Sequence, residues 1–179
     1  AYVKPETPKN ACGLSKAPTV ARWLAMRKIS DATAKRYRIF ADGDGVILFP
    51  YMRDNEVLHI KYRSVREKKF WSSAGTEKCL FGWQGLDKHT RAVCLTEGEM
   101  DTLALAEYGL QSLSIPFGAG TKDKQDWIEN EWDNLSRFDT IYLAIDMDGP
   151  GQKTVQELAE RLGRERCRVI KLPRKDANA

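Results

Sequence analysis

From about residue 86 the chain alternates between short apolar runs and helix-like segments, and this alternation limits the fold more than any other feature. "AVCLT" reads as a strand, "GEMDTLALAEYG" as a helix ending at Gly109, and "QSLSIPF" as a second strand. "KDKQDWIENEWDNL" is amphipathic through Trp127, Ile128, Trp132 and Leu135, and "DTIYLAI" has the continuous apolar character of a buried strand. "GPGQKTVQELAERLG" is a helix with Val155, Leu158, Ala159 and Leu162 facing inward, and "CRVIKL" is the last strand. Repetition of this kind implies an α/β fold, a parallel sheet covered by helices that are joined through right-handed crossovers.

The first half follows a different rule. Residues 1–18 form a loose Pro- and Lys-rich lead-in, and "TVARWLAMRKI" places Val20, Trp23, Leu24, Met26 and Ile29 at helical spacing with Thr19 as its cap. "SDATAKRYRI" restarts as a short helix capped by Ser30 or Asp31. "GVILFPY" and "VLHIKYRS", separated by "MRDNE", form a hairpin, and "KKFWSS" adds a strand. Alternation in the second run sends Leu58, Ile60 and Tyr62 to one face and His59, Lys61 and Arg63 to the other, so one face packs while the other presents cations. The expected division is a basic subdomain over residues 1–85 and an α/β subdomain over residues 86–179.

A length of 179 residues, 42% apolar and 30% charged, suits one domain or two small subdomains with a real core. No uninterrupted apolar run reaches the roughly 18 residues of a membrane span. The opening "AYVKPETPKNACG" lacks the apolar core of a signal peptide and begins without Met, which reads as an excised fragment or a processed chain. Cys12, Cys79, Cys94 and Cys167 are scattered with no CxxC pair, which argues against zinc in this chain and for reduced thiols in a cytoplasm. The net charge of +4 is unevenly divided: residues 1–85 hold 16 Lys+Arg against 8 Asp+Glu, and residues 86–179 hold 13 against 17. A nucleic-acid grip beside a cation-binding site has this pattern, and so does an ordinary solvated surface.

Ligands of a parallel α/β sheet bind beyond the carboxyl ends of its strands, and two such ends here carry acids. In "AVCLTEGEMD", Glu97 leaves the strand, Gly98 bends the chain and Asp101 falls in the first helical turn, where a carboxylate is favourable in itself. In "LAIDMDG", Asp146 and Asp148 project to one side if the chain stays extended. Each acid alone is explained by a turn or a cap. Together they form an oxygen-donor set for a hard divalent cation, Mg²⁺ with Mn²⁺ as a substitute, which activates a hydroxyl and stabilises charge on a phosphoryl group. "DGPGQKT" is not a P-loop, because that pattern requires Gly directly before the Lys and position 152 is Gln.

"TEGEMD", followed about fifty residues later by "IDMDGPGQKT", resembles the TOPRIM signature shared by primases, topoisomerases and some nucleases. "LFGWQGL", the basic hairpin "VLHIKYRSVREKKFW" and the closing "LPRKDANA" are similar to the primase part of phage primase–helicases. That resemblance implies a TOPRIM Rossmann-like sheet flanked by helices and preceded by a smaller basic α+β subdomain. It makes Glu97 the catalytic acid, Glu97, Asp146 and Asp148 the metal ligands, and Asp101 a supporting acid. Lys61, Arg63, Lys68 and Lys69 match the family's nucleotide- or template-binding cations.

The implied activity is DNA-templated synthesis of short RNA primers by Mg²⁺-dependent nucleotidyl transfer. Its partners are single-stranded DNA, ribonucleoside triphosphates, and the helicase and zinc-binding domains of a longer parent protein, with no membrane. Two other readings stay open: a TOPRIM-type metal-dependent nuclease, and a non-catalytic single-stranded-DNA-binding module of a replicative helicase.

Overall fold

The computed structural model describes residues 2–118, 122–146 and 148–171. The chain divides into two compact units, Ala1–Glu77 with Trp83–Gly85, and Lys78–Gly82 with Leu86–Ala179.

The first unit contains β1 (Ala11–Cys12), a 3₁₀ turn (Leu14–Lys16), α1 (Pro18–Met26), α2 (Asp31–Arg36), β2 (Phe40–Asp42), β3 (Val46–Arg53), β4 (Glu56–Ser64) and β5 (Phe70–Ser72). Its strands pair antiparallel in chain order, β1-β2-β3-β4-β5. α1 starts one residue before the expected cap. Pro18 occupies the first turn, where its missing N–H costs nothing. Thr19 is inside the helix, and its amide and hydroxyl both donate to the Asp44 carboxylate at 2.7 Å. A carboxylate from the β2–β3 turn therefore caps α1 in place of Thr19. Val20 and Leu24 are buried as expected, but Met26 is 74% exposed because the helix ends there. α2 is capped by Ser30, whose hydroxyl accepts from the Thr33 amide at 3.2 Å.

The β3–β4 hairpin closes on two residues, Asp54 and Asn55, with φ of 51° and 65°, the left-handed pair a tight turn between twisted strands requires. Met52 and Arg53, expected in the turn, remain in β3. The register runs Tyr51↔His59 and then Met52↔Val57, so Leu58 is the extra residue of a β-bulge. The bulge interrupts the alternation read from the sequence. Val57, not Leu58, joins Val46, Leu48, Ile60 and Tyr62 in one apolar cluster. His59 is not on display either: it is 3% exposed, its Nδ1 lies 2.6 Å from Thr76 Oγ1, and its ring meets Tyr51 edge-on at 4.9 Å. Buried polar groups require such partners.

In the second unit the order is β6 (Ala92–Thr96), α3 (Glu99–Glu107), β7 (Ser112–Ser114), a 3₁₀ turn (Lys122–Gln125), α4 (Trp127–Leu135), β8 (Thr140–Ala144), α5 (Gly149–Leu162) and β9 (Cys167–Val169). The sheet order is β7-β6-β8-β9 and every pairing is parallel, as the strand–helix alternation requires. Val93, Leu95, Leu113, Ile141 and Leu143, in register on one face of the sheet, are at most 1% exposed, and Cys94, Thr96, Ser112 and Ser114 on the other face are buried as well, while Tyr142 there is 38% exposed. One helix is rotated from its sequence reading. α4 buries Trp127, Ile128 and Leu135, but Trp132 is 48% exposed and Glu131 is fully buried. Glu131 accepts from the Leu80 amide at 2.9 Å and from Asn134 Nδ2 at 3.1 Å. Asn130 Nδ2 donates to the Lys78 carbonyl at 2.8 Å, and Phe81 bridges to Ser114. Residues 78–82 are held in the second unit by these bonds.

Candidate active site

β6 and β8 are neighbours in register, Thr96 beside Ala144, so Glu97 and Asp146 leave the same edge of the sheet within two residues of their strands. β6 is followed through α3 by β7 on one side, while β8 lies on its other side. The crevice between β6 and β8 is thus the topological switch point, where open α/β sheets bind ligands outside the carboxyl ends of their strands.

The turn carrying Glu97 is pinned from below. Thr96 Oγ1 is buried, within 2.8 Å of Thr102 Oγ1, and it can donate to the carbonyls of Gly98 (3.2 Å) and Leu113 (3.3 Å). Ser112 Oγ donates to the Thr102 carbonyl at 3.0 Å. These hydroxyls tie β6, α3 and β7 together under the site. Their signal in the sequence was faint: Thr and Ser inside apolar strands. From β7, Gly118 comes alongside Glu97, whose Oε1 is 3.5 Å from where a Cβ on Gly118 would stand, and its φ of 68° suits glycine. Asp101 folds back over the α3 N-terminus, its Oδ2 3.0 Å from the corresponding point on Gly98.

On the β8 side Asp146 is half-buried and Asp148 exposed; Met147 lies outside the described residues. Asp148 is the N-cap of α5, and its Oδ1 accepts from the Gly151 amide at 2.9 Å. A Cβ on Gly151 would collide with the Asp146 carbonyl oxygen. Glycine at 151 is what lets the helix start so close beneath the acids. The partial positive charge of the helix N-terminus then offsets some of the repulsion between the two aspartates.

The acids at this edge offer carboxylate oxygens, the ligand type of Mg²⁺ and not of soft metals. Among the described residues no three His, Cys, Asp or Glu side chains gather into a ready cage. Mg²⁺ does not need one, since it keeps several waters and is held by one or two carboxylates together with substrate phosphates. The carboxylates at this edge fit that ion in their chemistry.

The cations predicted to bind nucleotide or template belong to the first unit. Lys61 and Arg63 are half-buried on β4, and Lys68 and Lys69 are exposed beyond it. Lys69 Nζ is 6.0 Å from the Trp71 ring, and Trp71 stacks on Tyr62 at 5.4 Å. The closing "LPRKDANA" lies outside the described residues from Leu172 onward. Among the described residues no helix is long and apolar enough to cross a membrane.

A doubly wound parallel sheet with acids at the carboxyl ends of its two central strands defines the class, and residues 94–179 match the Toprim-like family. Two Arabidopsis thaliana proteins, "Twinkle homolog protein, chloroplastic/mitochondrial" and "Primase homolog protein", are each 37% identical over 169 residues. Those alignments cover 86% of this chain, which spans 24% of the first protein and 50% of the second. The crystal structure of the primase fragment of the bacteriophage T7 primase–helicase superposes with a TM-score of 0.78 at 26% identity, over 99% of this chain and 75% of that one. Residues 94–179 thus carry a Toprim-like domain, and the chain as a whole is similar to the primase part of primase–helicases.

Proposed function

We propose that this chain is the polymerising core of a primase, joining ribonucleotides on a single-stranded DNA template. The observation that carries this reading is the placement of Glu97 and Asp146 across the switch point of a Toprim-like sheet. In the reaction the 3′-hydroxyl oxygen of one ribonucleotide bonds to the α-phosphorus of the next. The bond from that phosphorus to the bridging oxygen breaks, and pyrophosphate leaves. Bound Mg²⁺ offsets charge on the triphosphate and favours the ionised hydroxyl. Asp146 and Asp148 would hold the ion, while Glu97 stands on the opposite strand to receive the hydroxyl proton. Asp101, in the first turn of α3, supports the edge electrostatically.

The basic N-terminal region would hold the template by its phosphates, with Lys61, Arg63, Lys68 and Lys69 as contacts and an affinity that falls as salt rises. The C-terminal region would hold the nucleotide chemistry. Helicase and zinc-binding domains of a parent protein would supply translocation and template selection.

The test is extension of a short ribonucleotide on single-stranded DNA with labelled nucleoside triphosphates and Mg²⁺ or Mn²⁺. Glu97→Gln and the double variant Asp146→Asn, Asp148→Asn run beside the unchanged protein. Extension that both variants lose supports the primase reading, and extension that survives them refutes it. Cleavage of DNA without triphosphates would replace it with a nuclease. DNA binding with neither activity would leave the binding module.

A further inference from the structure

Beneath Glu97 lies a set of hydroxyls that the carboxylate chemistry leaves unused. Thr96 ends β6, Thr102 stands early in α3 and Ser112 opens β7, and all three are fully buried. The two threonine hydroxyls are 2.8 Å apart. Thr96 Oγ1 also lies 3.2 Å from the Gly98 carbonyl and 3.3 Å from the Leu113 carbonyl. A carbonyl has no proton to give, so Thr96 donates to one of them and accepts from Thr102. Ser112 Oγ completes the set by donating to the Thr102 carbonyl at 3.0 Å.

Packing alone accounts poorly for these groups. Valine has the shape of threonine, and the neighbouring buried positions of β6 hold the apolar Val93 and Leu95. Replacing both members of a buried hydrogen-bonded pair by apolar groups of the same shape is nearly neutral for stability. What the hydroxyls supply is direction. Glu97 stands between two residues that the network fixes. The Thr96 carbonyl accepts from the Ile115 amide at 3.0 Å while its hydroxyl binds as described. The Gly98 carbonyl accepts from the Thr102 amide at 3.2 Å and faces the Thr96 hydroxyl. Gly98 is the most permissive residue of this turn, and Gly118 brings no Cβ against the Glu97 side chain. The hydroxyls therefore provide a restraint that side-chain bulk does not.

We infer that Thr96, backed by Thr102, is a positioning residue that sets where the Glu97 carboxylate stands at the carboxyl edge of the sheet. This deepens the proposed function and rests on it for the reaction served. Thr96 acts through Glu97, so its loss should matter only while Glu97 keeps its charge.

The experiment is titration of Mn²⁺ alone into the protein, without nucleotide or DNA, read by electron paramagnetic resonance of the free ion. Thr96→Val should weaken Mn²⁺ about tenfold, the loss expected when the support behind a carboxylate at a metal site is removed. Thr96→Ser keeps the hydroxyl and should restore the affinity. In a Glu97→Gln background Thr96→Val should add no further loss, as a double-mutant cycle requires of a residue that acts through another. The double variant Thr96→Val, Thr102→Val strands no hydroxyl, and the Gly98 carbonyl keeps the Thr102 amide. It should unfold in urea near the unchanged midpoint and still bind Mn²⁺ weakly, which separates positioning from folding. Unaltered affinity in Thr96→Val, equal weakness in Thr96→Ser, or the same loss with and without Glu97 would overturn the inference. Primer extension is read separately. The Mn²⁺ pattern without extension would refute the proposed reaction and not the positioning role, and extension with Mn²⁺ affinity indifferent to Thr96 would do the reverse.

Discussion

Asp148 carries two duties at once, and substitutions can separate them. Its side chain caps α5 through the Gly151 amide, a contribution of about 0.5–2 kcal/mol that alanine removes. Asparagine keeps an acceptor oxygen at the same place and removes only the charge. In urea unfolding, Asp148→Asn should therefore match the unchanged protein closely, while Asp148→Ala loses roughly 1 kcal/mol. Both should reduce primer extension if the charge holds the cation, whereas a purely structural residue would show full activity in the asparagine variant. Gly151 is the less forgiving neighbour. Adding one methyl drives it into the Asp146 carbonyl, and overpacking of this kind costs roughly 1–3 kcal/mol. Gly151→Ala should lower the unfolding midpoint and also lower extension, since backbone at the acids is what must move.

At the scale of elements, two carboxylates act as connectors that the hydrophobic pattern does not announce. Asp44 caps α1 from another strand connection, and the Thr19 hydroxyl, with the amides of the same turn, holds its carboxyl below the ordinary carboxylate range. A depressed folded pKa means the folded protein binds that proton less readily than the unfolded chain. The contribution is thus complete above the ordinary value, near pH 4, and is lost as pH falls through the folded value. Melting curves from about pH 6 to pH 2 should show this loss, and Asp44→Asn should flatten it while leaving the neutral-pH fold intact. Glu131 does similar work inside the second unit. Glu131→Ala would strand the Leu80 amide in a buried position, at a cost of roughly 1–3 kcal/mol. Hydrogen exchange should then report faster opening of residues 78–82 before the sheet itself.

At the scale of the molecule, the acids belong to one unit and the cations Lys61, Arg63, Lys68 and Lys69 to the other, so binding and chemistry should separate on substitution. Lys61→Ala should weaken single-stranded DNA binding and reduce the slope of log affinity against log salt by about one phosphate contact. Glu97→Gln should leave that slope unchanged. The sequence alone determined the parallel α/β half, because buried strands and amphipathic helices differ in period. It also determined that Glu97, Asp146 and Asp148 follow strands, because a carboxylate ending an apolar run has nowhere else to go. It misplaced side chains wherever a distant partner set the orientation. The bulge at Leu58 turned Val57 inward, the Leu80 amide drew Glu131 into the interior in place of Trp132, and Thr76 gave His59 a buried partner. Only the tertiary structure decided that the ends of β6 and β8 adjoin, and that Arg63 meets the rings of Trp23 and Phe70. Strand order and cross-element contacts depend on residues far apart in the chain, and local periodicity carries no record of them.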